Sequence, residues 1–277
     1  MKTLGIIGFG NMGLCLVEKV KTKKIKIWIF DKDKTKIGKP RGIYVAKNNV
    51  DLVKRVEAVV LAVKPQDFES VLEEIKTVAR GKLIISIAAG ITTGYIEKHL
   101  GEARIIRTMP NMPARIGEAI TCICKGRFAT DEDVDFTKDL FSSLGEILML
   151  GEERMDAATA ISGSGPGYCY DLMESQCIDI NSPHAMDEFK KGFTLLLASA
   201  AVSVGFSPQY AMALARATAS GSINLLIKSK LPPEEFKKQI ASKGGTTEAG
   251  LEVLHRGGSL EEAAKAALNR AKELSKN

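Results

Sequence analysis

The chain has 277 residues, 45% of them hydrophobic and 26% charged, with a formal net charge of +6. That length exceeds a single core, so an ordinary soluble protein of two domains is expected. No apolar run approaches the ~18 residues that cross a bilayer, and the five cysteines (Cys15, Cys122, Cys124, Cys169, Cys177) form no Cys-x-x-Cys, which argues against a disulfide framework or a zinc site. His99, His184 and His255 show no metal-ligand spacing, and no metal is expected. Met1 to Gly8 reads as a strand rather than a signal peptide, so the expected compartment is a reducing cytoplasm.

In chain order, strands are expected at 3–7, 25–30, 43–45, 58–63, 83–87, 104–107, 119–124 and 146–150. Residues 27–30 and 59–63 are nearly continuous apolar runs, as in strands buried on both faces. Helical spacing marks 11–21, 67–79 (Val71, Leu72, Ile75 and Val78 on one side) and 131–144. Repeated strand–helix–strand units imply a parallel, doubly wound sheet. From Met155 onward no strand is expected, and Ala- and Leu-rich helices dominate. Two of them, 189–204 and 210–227, are apolar on more than one face, which points to a subunit interface. An amphipathic helix over 259–275 starts with Glu261 and Glu262. The expected division is a dinucleotide-binding domain over 1–152 and a helical domain over 153–277.

Between Lys19 and Lys39 lie nine lysines against Asp31 and Asp33. Nucleic-acid binding is one reading, but no recognition motif or aromatic platform accompanies it. A solvated surface and an attraction for a phosphate-rich cofactor remain.

Gly8-Phe9-Gly10-Asn11-Met12-Gly13 follows the first strand and opens the first helix, which is the context a dinucleotide fingerprint requires. The first glycine permits the turn, the second admits the pyrophosphate, and the third lets helix and strand pack closely. Asp31 ends the second strand, where an acid hydrogen-bonds the ribose of NAD and repels a 2′-phosphate. Lys32 and Lys34 follow at once and offset that repulsion, so NADPH and NADH both stay open, with a lean to NADPH from the lysine cluster. Ala62-Val63-Lys64-Pro65 and Ser86-Ile87-Ala88-Ala89-Gly90 lie at carboxyl ends of strands, where ligands sit in open α/β sheets.

Late in the chain, Ser242-Lys243-Gly244-Gly245-Thr246-Thr247-Glu248-Ala249-Gly250-Leu251 runs from two glycines into a helix-capable segment. Glycines and free N–H groups at a helix start suit a small anion. A plain turn between helices is the alternative.

Together these segments, with Arg107-Thr108-Met109-Pro110-Asn111-Met112-Pro113 and Ser162-Gly163-Ser164-Gly165-Pro166, resemble the pyrroline-5-carboxylate reductase family over about residues 4–258. The resemblance implies a Rossmann domain followed by a helical dimerisation domain, and a homodimer or higher homo-oligomer. It implies NAD(P)H-dependent reduction of a C=N bond, 1-pyrroline-5-carboxylate to L-proline, with no nucleic-acid or membrane partner. Carried over by position, the cofactor would touch Ile7, Gly8, Phe9, Gly10, Asn11, Met12, Asp31, Lys32, Lys34, Asn49, Ala62, Val63, Lys64, Pro65, Ala88 and Ala89. The substrate would meet Glu152, Gly244, Gly245, Thr246 and Thr247. Thr247 is the catalytic candidate near the ring nitrogen; its bland alternative is a helix N-cap.

The chain departs from the family pattern at three places. Lys243 replaces a common proline, Gly167 stands where alanine is usual, and an extra segment of about twenty residues is expected around 174–189, with Ser182-Pro183 breaking a helix. Two other classes compete. A β-hydroxyacid dehydrogenase would want a catalytic lysine after the 162–166 loop, and residues 167–174 contain no Lys or Asn. A non-catalytic nicotinamide-binding redox sensor would need no substrate loop.

Overall fold

The computed structural model describes residues 1–20, 24–38 and 42–275. Lys21, at the end of the first expected helix, and Lys23 and Lys39 of the lysine cluster lie outside the described residues. The chain forms two compact units. The first comprises 1–108, 123–143 and 149–152; the second comprises 109–122, 144–148 and 153–277.

The first half runs β1 (Thr3–Ile7), α1 (Asn11–Val20), β2 (Lys26–Phe30), β3 (Tyr44–Val45), α2 (Asn49–Arg55), β4 (Ala58–Leu61) and α3 (Pro65–Ile75). There follow β5 (Leu83–Ser86), α4 (Thr93–Leu100), β6 (Arg104–Met109), β7 (Ala119–Lys125), α5 (Asp131–Ser142) and β8 (Gly145–Met149). The strands order as β3-β2-β1-β4-β5-β6-β7-β8, and β3 through β6 pair in parallel. Reversal of strand order beside β1 is the switch point at which open α/β sheets bind ligands.

The apolar runs explain the centre of the sheet. Every residue of β4 and β5 is buried, as two covered faces require. β4 stops two residues short of the expected Val63. Lys64 before Pro65 takes extended backbone (φ −68°, ψ 151°), the region a following proline imposes, and Pro65 supplies the first helical turn of α3. The sheet is not parallel throughout. Only nine residues separate β6 from β7, too few for a crossover helix. Gly126, just past β7, donates to the Ile105 carbonyl near the start of β6 at 2.9 Å, so β7 runs against β6.

The second unit holds α6 (Glu152–Ala158, whose first residue belongs to the first unit), α7 (Gly165–Ser175), α8 (Pro183–Ser203), α9 (Pro208–Ser229), α10 (Pro233–Ile240), α11 (Thr246–His255) and α12 (Leu260–Ser275). No strand occurs after β8 among the described residues. Ser182 and Pro183 start a helix: Ser182 caps α8 through the Ala185 N–H, and Pro183 is its first residue. Residues 183–189 of the segment expected to be extra are the first turns of α8. Tyr168, Cys169 and Tyr170 of α7 are fully buried, whereas α8 and α9 expose Leu195, Leu196, Val202, Met212 and Ile227.

Candidate active site

In the first unit, α1 starts directly after the glycine loop. Gly8 has φ +96°, and a Cβ there would lie 2.6 Å from the Ala62 carbonyl oxygen. A Cβ on Gly13 would lie 2.2 Å from the Gly8 carbonyl oxygen, so strand and helix meet backbone to backbone. Around Gly10 nothing lies within 4 Å of such a Cβ. The loop is thus closed where it packs and open where a pyrophosphate would approach the helix start.

A cleft of about 510 Å³ adjoins this loop. Of the cofactor residues expected from the sequence, Ile7, Gly8, Gly10, Asp31, Lys32, Asn49, Ala62, Val63 and Lys64 line it. Phe9, Asn11, Met12, Lys34, Pro65, Ala88 and Ala89 are not among its walls, although Phe9 acts through its backbone. The Phe9 N–H donates to Asp31 Oδ2 at 2.7 Å, and the Asp33 N–H donates to Asp31 Oδ1 at 2.8 Å. Asp31 is only 7% exposed, and each of its oxygens already serves the backbone. Its carboxylate ties the glycine loop to the end of β2.

The cleft has a wall that sequence reasoning missed. Asp67, Ser70, Val71 and Glu74 line it from α3. Their i, i+3, i+4, i+7 spacing places them on one helix face, which shares Val71 with the apolar face and carries Asp67, Ser70 and Glu74 beside it. Asn49 Nδ2 donates to Glu74 Oε2 at 2.8 Å, while Asn49 Oδ1 is buried with no hydrogen-bond partner. Lys32 pairs with Asp67 at 2.6 Å, and that hydrogen bond raises the Lys32 pKa. An orphaned buried amide oxygen, an open glycine and basic side chains together fit a dinucleotide.

Glu152 closes a separate network in the same unit. Its Oε1 accepts from the Arg107 guanidinium, and its Oε2 accepts from the Thr93 N–H at 3.0 Å and hydroxyl at 2.6 Å. Arg107 is 1% exposed, so its charge depends on such partners.

The second unit carries the late glycine loop. Gly245 is the N-cap residue of α11 and offers no side chain to cap it, so Thr247, two residues inside the helix, is not the N-cap. Thr246 and Thr247 are buried and turned towards Ser164. Thr247 Oγ1 donates to Ser164 Oγ at 3.1 Å, and Ser164 Oγ lies 3.1 Å from Thr246 Oγ1. Ser164, absent from the sequence-derived site, is the hub of this hydroxyl cluster. Burial holds the nearby Tyr168 hydroxyl above its usual pKa, with Ser164 pulling the other way, so Tyr168 stays neutral. A methyl on Gly167 would come within 2.5 Å of Thr247 Cγ2; the departure from alanine makes room for this threonine.

Just before α7 the chain widens into a π turn over Thr159–Gly163. Asn111 Nδ2 donates to the Ser162 carbonyl at 3.2 Å, and Asn111 Oδ1 accepts from the Ile120 N–H at 3.1 Å. The Met-Pro-Asn segment therefore braces the turn that presents Ser164.

The loop amides are less free than the sequence suggests. Gly244, at φ +70°, donates its N–H to Glu248 Oε2 at 2.6 Å, and the Gly245 N–H donates to the Ser242 carbonyl at 2.9 Å. A carboxylate thus already occupies the anion position at Gly244. Among the described residues there is no metal-ligating cluster and no helix long and apolar enough to cross a membrane.

Residues 193–275 match the family model for pyrroline-5-carboxylate reductase dimerisation, and residues 3–90 match that of coenzyme F420-dependent NADP oxidoreductase. The chain is 35% identical to a Pisum sativum pyrroline-5-carboxylate reductase over 84% of this chain and 80% of that one. It is 31% identical to a Synechocystis pyrroline-5-carboxylate reductase over 99% and 98%. A Plasmodium falciparum pyrroline carboxylate reductase, crystallised with NADP bound, superposes with a TM-score of 0.65 at 30% identity, covering 99% of this chain and 98% of that one.

Proposed function

The chain belongs to the pyrroline-5-carboxylate reductase family, and we infer that it reduces the C=N bond of 1-pyrroline-5-carboxylate to L-proline with NAD(P)H, the last step of proline synthesis. We assign the first unit to cofactor binding and the second to substrate binding and dimerisation. The observation that carries the substrate assignment is the head of α11, where the Gly244 amide already donates to a carboxylate and two buried threonine hydroxyls cluster on Ser164. A cyclic imino acid has the same two chemistries, a carboxylate and a ring nitrogen.

A bound nicotinamide supplies hydride to the imine carbon. The protein's task is then orientation, since the imine is basic enough to protonate near neutral pH without a dedicated acid. The Gly244, Gly245 and Thr246 backbone takes the carboxylate at the positive end of α11. Thr247 meets the ring nitrogen, with Ser164 fixing its hydroxyl. Glu152, held by Arg107 and Thr93, is a fixed charge of the first unit. The exposed apolar residues of α8 (Leu195, Leu196, Val202) and α9 (Met212, Ile227) lie within the stretch that matches the dimerisation model, and they fit a second copy of this chain.

Purified protein is expected to oxidise NADPH or NADH when given Δ1-pyrroline-5-carboxylate and to leave 3-hydroxy acids untouched. Folded protein that consumes neither cofactor with the imine would refute the assignment.

A further inference from the structure

We propose that Glu74, on the cleft-lining face of α3, is the carboxylate that selects against a 2′-phosphate in this chain's dinucleotide cleft, the task the sequence suggests for Asp31. The proposal rests on the NAD(P)H reading above. Asp31 stands at the end of β2, where NAD enzymes keep their ribose acid, but both its oxygens accept backbone N–H groups and it is almost fully buried. Lys36 lies 4.0 Å from it. Asp67, the next acid in the cleft, is paired with Lys32 at 2.6 Å. Glu74 differs from both. It is exposed, lines the same cleft and bonds a neutral amide, Asn49 Nδ2, with no ion pair among the described residues.

Its charge therefore acts on the cleft without a direct ion pair of its own among the described residues. The cleft it lines also takes in Phe30, Asp31 and Lys32 at the end of β2, where a dinucleotide's adenosine ribose binds in this fold. A carboxylate there accepts from ribose hydroxyls and repels a phosphate ester. Lys32, Lys36 and Lys64, which also line the cleft, pull the other way. Selection is set by the balance, and Glu74 is its negative side.

The test uses the full chain and equilibrium binding, read by nucleotide fluorescence or calorimetry. Glu74→Gln keeps an acceptor for Asn49 and removes only the charge. It is expected to shift the NADH-to-NADPH preference about fivefold towards NADPH, and to tighten 2′,5′-ADP relative to 5′-AMP by a similar factor, less so at high salt. Asp31→Ala, which frees the glycine loop, is expected to weaken both cofactors alike and to lower Tm. A Glu74→Gln ratio within twofold of the unaltered chain overturns the proposal while leaving the reductase reading intact, as does an Asp31→Ala variant that moves the ratio instead. Failure of the unaltered chain to bind either nucleotide overturns both.

Discussion

Two glycine-rich segments open helices in this chain, and they solve different problems. Around α1 the glycines are dictated by backbone contact: a side chain on Gly8 or Gly13 would strike carbonyl groups at 2.6 and 2.2 Å. At α11, Gly244 has φ +70°, yet the nearest atom to an added Cβ is Arg270 Nη2 at 3.5 Å. There the residue supplies a conformation rather than a close approach. The first loop keeps open space beside Gly10; in the second, Glu248 covers the Gly244 N–H. A motif of glycines before a helix therefore says where a ligand can bind, and only the surroundings say what the site does before the ligand arrives.

The sharpest break of this comparison is a pair of alanine substitutions. Gly13→Ala is expected to destabilise the protein by roughly 1–3 kcal/mol or more, because backbone must move, and to remove most cofactor binding. Gly244→Ala is expected to cost only ~1–2 kcal/mol, the penalty of left-handed backbone, and to leave NAD(P)H affinity unchanged. Thermal melts and nucleotide titrations on both variants decide it; equal losses would erase the distinction.

Next in size is Thr247→Ala. One lost hydrogen bond at the nitrogen is worth ~1–3 kcal/mol, or roughly five- to 150-fold in kcat/KM for the imine. NAD(P)H affinity is expected to hold, since Thr247 lies in the other unit from the cofactor cleft. Unchanged imine kinetics would remove Thr247 from the chemistry and leave its Ser164 bond as a packing feature.

The smallest effect concerns Glu248. Glu248→Gln keeps a neutral acceptor for the Gly244 N–H, and a substrate carboxylate displaces it more easily than a charged one. KM for the imine is expected to fall about two- to threefold, with kcat little changed. A rise in KM would mean that Glu248 shapes the loop rather than guarding it.

Sequence alone determined the alternation of buried strands and helices, the turn from a sheet to an all-helical half, and the location of both glycine loops. Each is written in local periodicity, in proline and glycine placement, or in apolar runs such as 59–63 that require two covered faces. The reversal of β7 was legible too, in the shortness of its link to β6. Tertiary structure decided which polar groups remain free. Asp31 and Glu74 are 43 residues apart and both line the cleft, yet one is buried and holds two backbone donors while the other is exposed and bonds a neutral amide. Ser164 meets Thr247 from 83 residues away, and no local pattern encodes that encounter. Hydrogen-bond satisfaction depends on every group brought near by folding, so the roles of individual carboxylates and hydroxyls are properties of the packed chain.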